Sequence, residues 1–309
     1  MYTMKKFLIY TVIFILSLFI IDRIGGACFG FLRDKVSNTT PNEFIPTKKM
    51  DHLNVGLVCI GSSRIKYHLD PKILSDSLLF SVYNCGKTGH WFFYENALFR
   101  SMVDQYKPKL ILWNIDFMWD FQVNNRDPSI ELTTLYPYYS EDSYIRETID
   151  KYGDKILKIR NFFLLYRYNS IIYKYLRILL HPNANGYEPQ IVNNRKWTPK
   201  RIAETFNDSI LVDKDKIKMF ANSLDYSIKK KVKVIILFSP RYVKSEYKKT
   251  NVYKSIVNVL REKHIRLLDY YQDPFFMDST LYRDCDHLNA KGAQIYSKKV
   301  SHQLKGMYY

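Results

Sequence analysis

The sequence has few cysteines, no internal repeat and no low-complexity tract. Four cysteines in 309 residues do not demand any disulfide bridge. The absence of a repeat excludes a solenoid or propeller array. With 47% hydrophobic and 16% aromatic residues, the chain has enough apolar material for one sizeable core, and its length allows one or two domains.

Acidic residues are also scarce, with 30 Asp and Glu against 47 Lys and Arg, which gives a net charge of +17. Such a charge is typical of nucleic-acid-binding proteins. The lysines are nevertheless spread along the chain, and heavy use of Lys, Asn, Ile, Tyr and Phe is also what a base-composition bias would produce. We therefore expect no nucleic-acid partner. If the protein lies at the outer side of a membrane, its basic surface would favour binding to anionic lipids or acidic glycans.

One long uncharged run, residues 7–21, lies between Lys5-Lys6 and Asp22-Arg23. Fifteen residues is short for a membrane span, which needs about 17 to 25, although flanking residues can extend it. A cleaved signal peptide and a buried core helix are the alternatives. We favour an uncleaved anchor because a charged pair stands where a small-residue cleavage site is expected, and residues 25–28 make a poor lipoprotein box.

The anchor hypothesis divides the chain into three parts. These are an anchor over residues 1–28, a polar linker over 29–50 that contains Pro41 and Pro46, and one domain over 51–309. The lysines before the span favour a cytoplasmic N-terminus. The domain is then expected on the extracytoplasmic side of the membrane.

Apolar runs and helical patterns alternate along the domain. Strands are predicted at 55–60, 80–83, 110–113, 232–238 and 265–268, and helices at 70–78, 91–106, 213–230, 247–263 and 290–304. Such alternation is typical of parallel βαβ units and predicts a three-layer α/β/α, flavodoxin-like sheet. The alternation lapses over 117–211. We interpret this span as a helical insertion, with a helix at 162–180, that covers the end of the sheet where an active site would lie, beyond the carboxyl ends of the strands. It is either a lid or acceptor site, or a packing elaboration.

The first predicted strand ends at Gly61 and is followed by Ser62 and Ser63. Ligands of open α/β sheets bind beyond the carboxyl ends of the strands. Gly-Ser-Ser is also a common turn with a helix cap. Near the C-terminus, however, Asp284 stands three residues before His287. A serine nucleophile needs a general base, and the base needs a third group that orients it. These residues together therefore favour a catalytic serine over a purely structural turn.

Three blocks resemble those of the SGNH (GDSL-like) hydrolase superfamily over roughly residues 52–304. They are Gly61-Ser62-Ser63, the second block with Asn84, Gly86 and Gly89, and Asp284-x-x-His287. The resemblance implies that Ser63 is the nucleophile, that His287 is its base and that Asp284 orients the base. It also implies an oxyanion hole formed by the backbone N–H groups of Ser63 and Gly89.

The third block of the family, G-x-N after the third strand, is degenerate here. Asn114 lies inside the apolar run and Asp116 stands where the glycine is expected, so the side-chain oxyanion donor is unassigned. A Gly-Ser-Ser first block with a degenerate third block resembles the membrane-anchored branch of the superfamily. That branch includes the teichoic-acid D-alanylation protein and alginate O-acetylation proteins.

The resemblance implies a membrane-anchored serine esterase or O-acyltransferase that acts on acyl esters of cell-envelope or extracellular glycans, with a membrane-bound acyltransferase as a candidate partner. The alternative is a non-catalytic SGNH-fold glycan-binding or assembly partner of such an acyltransferase. No cofactor is expected. A metal site at Asp284, Asp286 and His287 is disfavoured because no further His or Cys follows at ligand spacing. A disulfide between Cys85 and Cys285 is left open.

Overall fold

The structure, a computed structural model, describes residues 2–39, 55–79, 81–123, 127–153, 162–168, 171–181, 186–190, 202–203 and 211–308. It divides into two compact units. The first unit combines Met1–Thr40 with Pro128–Pro182, and the second combines Pro41–Asp127 with Asn183–Tyr309. The middle of the predicted insertion therefore groups with the N-terminal helix, whereas the sequence assigns it to the C-terminal domain.

The helices are α1 (Tyr2–Thr39), α2 (Ser63–His68), α3 (Pro71–Leu78), α4 (Phe92–Ser101), α5 (Phe117–Phe121), α6 (Pro128–Leu132), α7 (Ser143–Tyr152), α8 (Leu164–Tyr168), α9 (Ile172–Leu180), α10 (Lys214–Lys229), α11 (Asn251–Glu262) and α12 (Ala290–Tyr308). The strands are β1 (Val55–Ile60), β2 (Ser81–Asn84), β3 (Leu110–Asn114), β4 (Ile202–Ala203), β5 (Lys233–Phe238), β6 (Val243–Lys244) and β7 (Arg266–Asp269).

Helix α1 is longer than the sequence analysis predicts. It continues past residue 28 to Thr39, so the first part of the predicted linker is helical, because no proline interrupts the chain before Pro41. The rest of the linker, residues 40–50, lies outside the described residues. Within α1, Thr3–Val36 is apolar and long enough to cross a membrane.

The first unit is completed by α6 to α9. The predicted single helix over 162–180 is two helices, α8 and α9; residues 169–170 between them lie outside the described residues. The C-terminal half of α1 carries a buried arginine, Arg33, which donates to the carbonyl of Pro137 at 3.0 Å and forms an ion pair with Glu141 at 2.7 Å. Polar contacts therefore hold this half of α1 inside its unit.

The second unit is built on a five-stranded parallel sheet with the order β2-β1-β3-β5-β7. This is the flavodoxin-like order, and it confirms the three-layer α/β prediction. Each predicted strand falls within one residue of an observed strand at either end. Buried parallel strands give continuous apolar runs, and β1 and β3 are buried along their whole length. The short parallel pair of β4 and β6 is an addition that the sequence analysis does not predict.

Helices cover both faces of the sheet. On one face, Leu57 and Leu112 belong to a buried cluster with residues of α3 and α12. On the other face, the indole of Trp113 stacks on Phe99 with ring centroids 4.5 Å apart and meets Phe220 of α10 edge-on at 5.4 Å. These aromatic contacts fix α4 and α10 against β3.

Two predicted helices have more complex ends than their sequence pattern indicates. The helix predicted at 91–106 is α4 followed by a π-helical turn over Met102–Tyr106. The helix predicted at 247–263 begins as a 3₁₀ turn over Tyr247–Lys249, and α11 starts only after Thr250. The Thr250 hydroxyl accepts the N–H of Tyr253 at 3.2 Å, which makes it the N-cap of α11.

The strand order determines where a ligand site can form. The chain leaves β1 toward β2 on one side and later returns to β3 on the other, so the carboxyl ends of β1 and β3 flank the topological switch point of the sheet. At the end of β1, a Cβ on Gly61 would lie 2.7 Å from Ile65 and 3.0 Å from Asn114. Glycine therefore lets the chain turn sharply from β1 into α2 at this crevice.

Candidate active site

The two serines after β1 have different environments. Ser62 is the N-cap of α2: its hydroxyl accepts the N–H of Arg64 at 3.4 Å and donates to Asp116 at 3.3 Å. It is only 3% exposed. Ser63 is the first residue of α2 and is half-buried. Ser62 is thus occupied by structural contacts, whereas Ser63 faces the histidine described next.

Ser63, His287 and Asp284 form a chain of hydrogen bonds. The Ser63 Oγ lies 2.8 Å from the Nε2 of His287, and the Nδ1 of the same ring lies 2.9 Å from the Oδ1 of Asp284. The structure therefore brings together the three residues that the sequence analysis selects from opposite ends of the domain. The spacing is that of a nucleophile, a base and an orienting carboxylate.

The loop around Asp284 keeps its carboxylate ionised. Burial raises the pKa of Asp284, but hydrogen bonds from the His287 ring and from the backbone N–H groups of Asp286 and His287 outweigh this and lower it below its ordinary value. The segment between β5 and β6 also fixes the loop, since the N–H of Tyr242 donates to the Cys285 carbonyl at 2.9 Å. Asp284 can therefore hold the His287 ring in one orientation near neutral pH.

The second block supports α2 and adds one residue to the cavity. The Asn84 amide donates to the carbonyls of Ile65 and Leu69 at 2.8 Å each and accepts the N–H of Gly86 at 2.9 Å. A Cβ on Gly86 would lie 2.4 Å from the backbone nitrogen of Lys66. Asn84 and Gly86 thus hold the helix that carries Ser63.

The last glycine of that block faces the site directly. Gly89 lines the cavity beside Ser63 and His287. Its φ of +72° lies in the left-handed region, which favours glycine. The backbone at this position is therefore close to where a substrate would bind.

Asn114 lies away from the cavity. It is fully buried at the end of β3, and its side-chain oxygen accepts the N–H of Ser239 at 3.0 Å and its hydroxyl at 2.6 Å. It joins the carboxyl ends of β3 and β5. Asp116, which stands where the resemblance expects the glycine of the third block, is the first residue after β3 that lines the cavity.

Asp116 is paired with a buried arginine. Arg64 donates from Nε to Asp116 at 2.9 Å and from a terminal nitrogen to the second carboxylate oxygen, and it also donates to the Ser239 carbonyl at 3.3 Å. Arg64 is 2% exposed. Burial, and then the charge of Arg241, lower the pKa of Arg64 to about 10. Asp116 is therefore a hydrogen-bond acceptor locked in a bidentate ion pair that ties β3 to α2.

We expect Asp116→Ala to destabilise the second unit by about 3 to 5 kcal/mol, because it leaves the Arg64 guanidinium buried without its carboxylate. The measurement is thermal unfolding of the full-length protein in detergent. Arg64→Met with Asp116→Leu in the same chain is the matched control, since it removes both charges. If Asp116→Ala alone is as stable as wild type, the ion pair has no structural role.

The residues above enclose a cavity of about 160 Å³. Its lining residues are Ser62, Ser63, Arg64, Gly89, Trp91, Asp116, Trp119, Asp286 and His287. The sequence selects neither tryptophan as a site residue, and it indicates Asp286 only as a ligand of the disfavoured metal site. Trp91 follows the second block by two residues, so its position in the sequence could have indicated it as a site residue. Trp119 lies in α5 and is brought to the cavity by the turn after β3.

Asp286 repeats the arrangement of Asp116 at the other end of the cavity. Its carboxylate accepts from Arg241 at 2.5 Å, and Arg241 in turn donates to the hydroxyl of Tyr271 at 2.6 Å. Arg241 is buried and Asp286 is partly exposed. Two acceptor carboxylates, each paired with a buried arginine, therefore line the cavity that contains Ser63.

A second histidine lies behind the first. His68, the last residue of α2, is fully buried, and its ring meets that of His287 edge-on with centroids 6.3 Å apart. The N–H of Leu288 donates to the Nε2 of His68 at 3.0 Å. Burial, and then the charges of His287 and Arg64, lower the pKa of His68 well below its ordinary value. His68 is therefore a neutral acceptor that holds the residue after His287.

We expect His68→Leu to lower kcat and to destabilise the protein by about 1 to 3 kcal/mol, because the buried N–H of Leu288 loses its acceptor. His68→Gln should retain most of both properties, since its side-chain oxygen can take the place of Nε2. Steady-state kinetics and thermal unfolding measure the two effects. Equal behaviour of the Leu and Gln variants would contradict this role.

The cysteines do not form a bridge in this structure. All four are free thiols, including Cys85 and Cys285 in the two blocks. Burial raises the pKa of the Cys85 thiol, and burial with the nearby charge of Asp286 raises the pKa of Cys285 to about 11. Ligand atoms of Asp284, Cys285 and Asp286 lie within 4.8 Å of one another, but the two carboxylates are already bound to His287 and Arg241.

No family model matches the sequence, and no curated protein matches it. Solved structures with a similar chain path include three esterases. The psychrotrophic esterase EstA from Pseudoalteromonas sp. is 10% identical, and the alignment covers 81% of this chain and 97% of that one at a TM-score of 0.42. An acetyl xylan esterase, AlAXEase, is 10% identical over 82% and 99% of the two chains, with a TM-score of 0.39.

The third structure is a carbohydrate acetylesterase family member from Sinorhizobium meliloti, 9% identical over 81% of this chain and 97% of that chain, with a TM-score of 0.33.

Proposed function

We propose that the protein is a serine esterase or O-acyltransferase of the SGNH type, anchored in the membrane by α1, that acts on short acyl esters of cell-envelope or extracellular glycans. The observation that carries this proposal is the hydrogen-bonded chain from the Ser63 hydroxyl through the His287 ring to the Asp284 carboxylate. The sequence blocks that resemble the SGNH superfamily supply the same three residues.

The proposed reaction begins at Ser63. Its Oγ attacks the ester carbonyl carbon while the Nε2 of His287 takes the hydroxyl proton. The tetrahedral intermediate then collapses, and the alcohol leaves with the proton from His287. The acyl group stays on Ser63 until water or a sugar hydroxyl, deprotonated by His287, attacks it; the bond to Ser63 Oγ then breaks, and Oγ takes the proton back from His287. Asp284 holds the ring and stabilises the imidazolium throughout.

The oxyanion is assigned to backbone donors. Ser63 begins α2, and the first N–H groups of a helix have no partner within the helix. Gly89 lines the same cavity. Asp116 accepts hydrogen bonds and cannot donate as an ionised carboxylate, so we assign no side-chain amide to the oxyanion. A single backbone donor of this kind is typically worth about 3 to 4 kcal/mol of the barrier.

The size and lining of the cavity support the substrate class. A volume of about 160 Å³ is small beside the roughly 300 to 1,000 Å³ of sites for drug-sized ligands, so it suits a short acyl group. Trp91 and Trp119 line its wall, and Trp119 is 41% exposed. Their flat faces suit a sugar ring, and the acceptor carboxylates suit its hydroxyl groups.

We expect the enzyme to cleave p-nitrophenyl acetate with a much higher kcat/KM than p-nitrophenyl octanoate, because the cavity has no room for a long acyl chain. The measurement is steady-state hydrolysis by the full-length protein in detergent. Acetylated and deacetylated oligosaccharides added to the acetate assay then separate the two reaction types. Acyl transfer to sugar at the expense of free acetate identifies a transferase. A preference for octanoate would contradict the assignment of this cavity to the acyl group.

The non-catalytic alternative draws on the carboxylate at position 116. In that case the fold would bind or position a glycan for a membrane-bound acyltransferase. It predicts saturable binding of acylated oligosaccharide with no turnover and no effect of Ser63→Ala on binding. The close contact between Ser63 and His287, which a binding module does not require, favours the enzyme.

A further inference from the structure

The N-terminal half of α1 has no cover within the described part of the chain. From residue 4 to residue 21 its apolar side chains are exposed on nearly every side, whereas Asp22, Arg33 and Val36 beyond it are buried. The uncharged run over residues 7–21 extends about 22 Å as a helix, and the long side chains of Lys5 and Lys6 can snorkel and so extend it toward the roughly 30 Å of a bilayer hydrocarbon core. In the proposed anchor, Asp22 therefore marks the level at which α1 leaves the membrane.

A second segment is fixed to α1 at this level. The carboxylate of Asp22 accepts the N–H groups of Leu164 at 2.9 Å and Leu165 at 3.0 Å, which open α8. Arg23 donates to the carbonyl of Phe162. The first N–H groups of α8, which have no partner within the helix, are thus satisfied by a side chain of α1.

Two glycines allow this contact. A Cβ on Gly25 would lie 2.5 Å from the side chain of Leu165, and a Cβ on Gly26 would lie 2.1 Å from that of Leu164. At Gly26 the neighbours are the Cβ and backbone of Leu164, which cannot move aside as the end of the Leu165 side chain can, so glycine is required there for the close approach, as at helix contacts inside membranes. The Gly25-Gly26 pair, which makes a poor lipoprotein box in the sequence, has a packing function here.

The residues just before α8 extend the apolar surface of α1. Phe162 and Phe163 are 55% and 43% exposed, and the ring of Phe162 lies 6.0 Å from that of Phe19. The Arg23 guanidinium stands over both the Phe19 ring at 4.5 Å and the Phe162 ring at 5.1 Å. Aromatic rings with an arginine at the end of an apolar span are typical of the membrane–water interface.

We infer that Phe162 and Phe163 insert into the interfacial layer of the lipid bilayer that α1 crosses, so that residues 162–163 are a second membrane contact. The occupant is lipid because the Phe162 ring adjoins Phe19 of the exposed apolar surface of α1, and Phe163 beside it is exposed as well. This inference rests on the membrane anchor in the proposed function. It adds to the single anchoring helix a second membrane contact, which is formed by the two phenylalanines before α8.

The test measures lipid exposure at three single cysteines in the full-length chain. The background carries Cys28→Ser and Cys285→Ser; Cys59 and Cys85 are buried. An NBD fluorophore is attached at Phe163→Cys, at Ile13→Cys inside the span and at Lys35→Cys, which lies thirteen residues or about 20 Å along α1 from Asp22. The vesicles contain phosphatidylcholine and phosphatidylglycerol, with or without a phosphatidylcholine that carries a nitroxide on its acyl chain, near the head group in one set and near the chain end in another.

We expect the nitroxide lipid to quench NBD at Phe163→Cys and at Ile13→Cys, with blue-shifted emission at both, and to leave NBD at Lys35→Cys unquenched. Phe162→Cys serves as a second position in case the label at 163 displaces the turn. Quenching at Ile13→Cys with none at either phenylalanine position would overturn the inference and leave the anchor standing. No quenching at Ile13→Cys would overturn the anchor and the inference together.

Discussion

Ser63→Ala is expected to reduce kcat by about 10⁶-fold, because removing the nucleophile of a serine triad costs about as much as removing the whole triad. The Ser63 hydroxyl lies 2.8 Å from the Nε2 of His287, and the described part of the site offers no other hydroxyl in that position. The rate of hydrolysis of a short-chain ester measures the effect. The variant should fold normally, because the removed hydroxyl is half-exposed at the cavity.

Ser62→Ala is the matched control for this experiment. It removes a hydroxyl one residue away that caps α2 and donates to Asp116 at 3.3 Å. Loss of an N-cap costs about 1 kcal/mol of stability, so we expect a lower unfolding temperature but retained turnover. If Ser62→Ala abolished turnover and Ser63→Ala did not, the nucleophile would be assigned to the wrong serine.

Asp284→Asn is expected to reduce kcat by about 10⁴-fold with little change in KM, because an amide in place of the carboxylate favours the wrong tautomer of the histidine. The amide oxygen can still accept the backbone N–H groups of Asp286 and His287, so the loop should keep its shape. Steady-state kinetics with a thermal unfolding curve of the same sample measures both. A variant within tenfold of the wild-type kcat would show that Asp284 does not orient the base.

The pH dependence follows from the same contacts. Since hydrogen bonds from the His287 ring and two backbone N–H groups lower the pKa of Asp284 in the folded protein despite its burial, its contribution to stability is present above the unfolded-state pKa of about 3.9. It is lost only as the pH falls through the lower, folded value. We therefore expect the wild type to keep this stabilisation, relative to Asp284→Asn, at every pH above about 3.9, which thermal unfolding of both proteins over a series of pH values measures.

The fold could be predicted from the sequence because its signals are local. The strands of a buried parallel sheet are short apolar runs, and β1 and β3 have no polar residue before the end where chemistry begins. The extent of the first unit could not be predicted. Its residues 128–182 are joined to α1 by contacts such as those of Asp22 with Leu164 and Leu165, and the sequence shows Asp22 only as the flank of a span.

The residues of the site also differ in whether the sequence alone indicates them. The sequence selects Ser63 and the Asp284–His287 pair because each stands in a short block with fixed spacing, and hydrogen bonds join them in the structure. The pairing of Asp116 with Arg64 could not be predicted, since it depends on the adjacency of β1 and β3 in space. Asn84 and Asn114 match or adjoin family blocks, yet their amides are used for internal hydrogen bonds. A block residue can therefore be present for support of the site and not for contact with a substrate.

The most direct measurement is covalent labelling of the full-length protein with a fluorophosphonate, followed by mass spectrometry of the modified peptide. An activated serine attacks the phosphorus atom and displaces fluoride, so the label reports the assembled triad and needs no knowledge of the substrate. We predict one label per chain, on Ser63, that disappears in Ser63→Ala and persists in Ser62→Ala. A folded protein that takes no label, or takes it on another serine, would contradict the proposal that Ser63, His287 and Asp284 form a working catalytic triad.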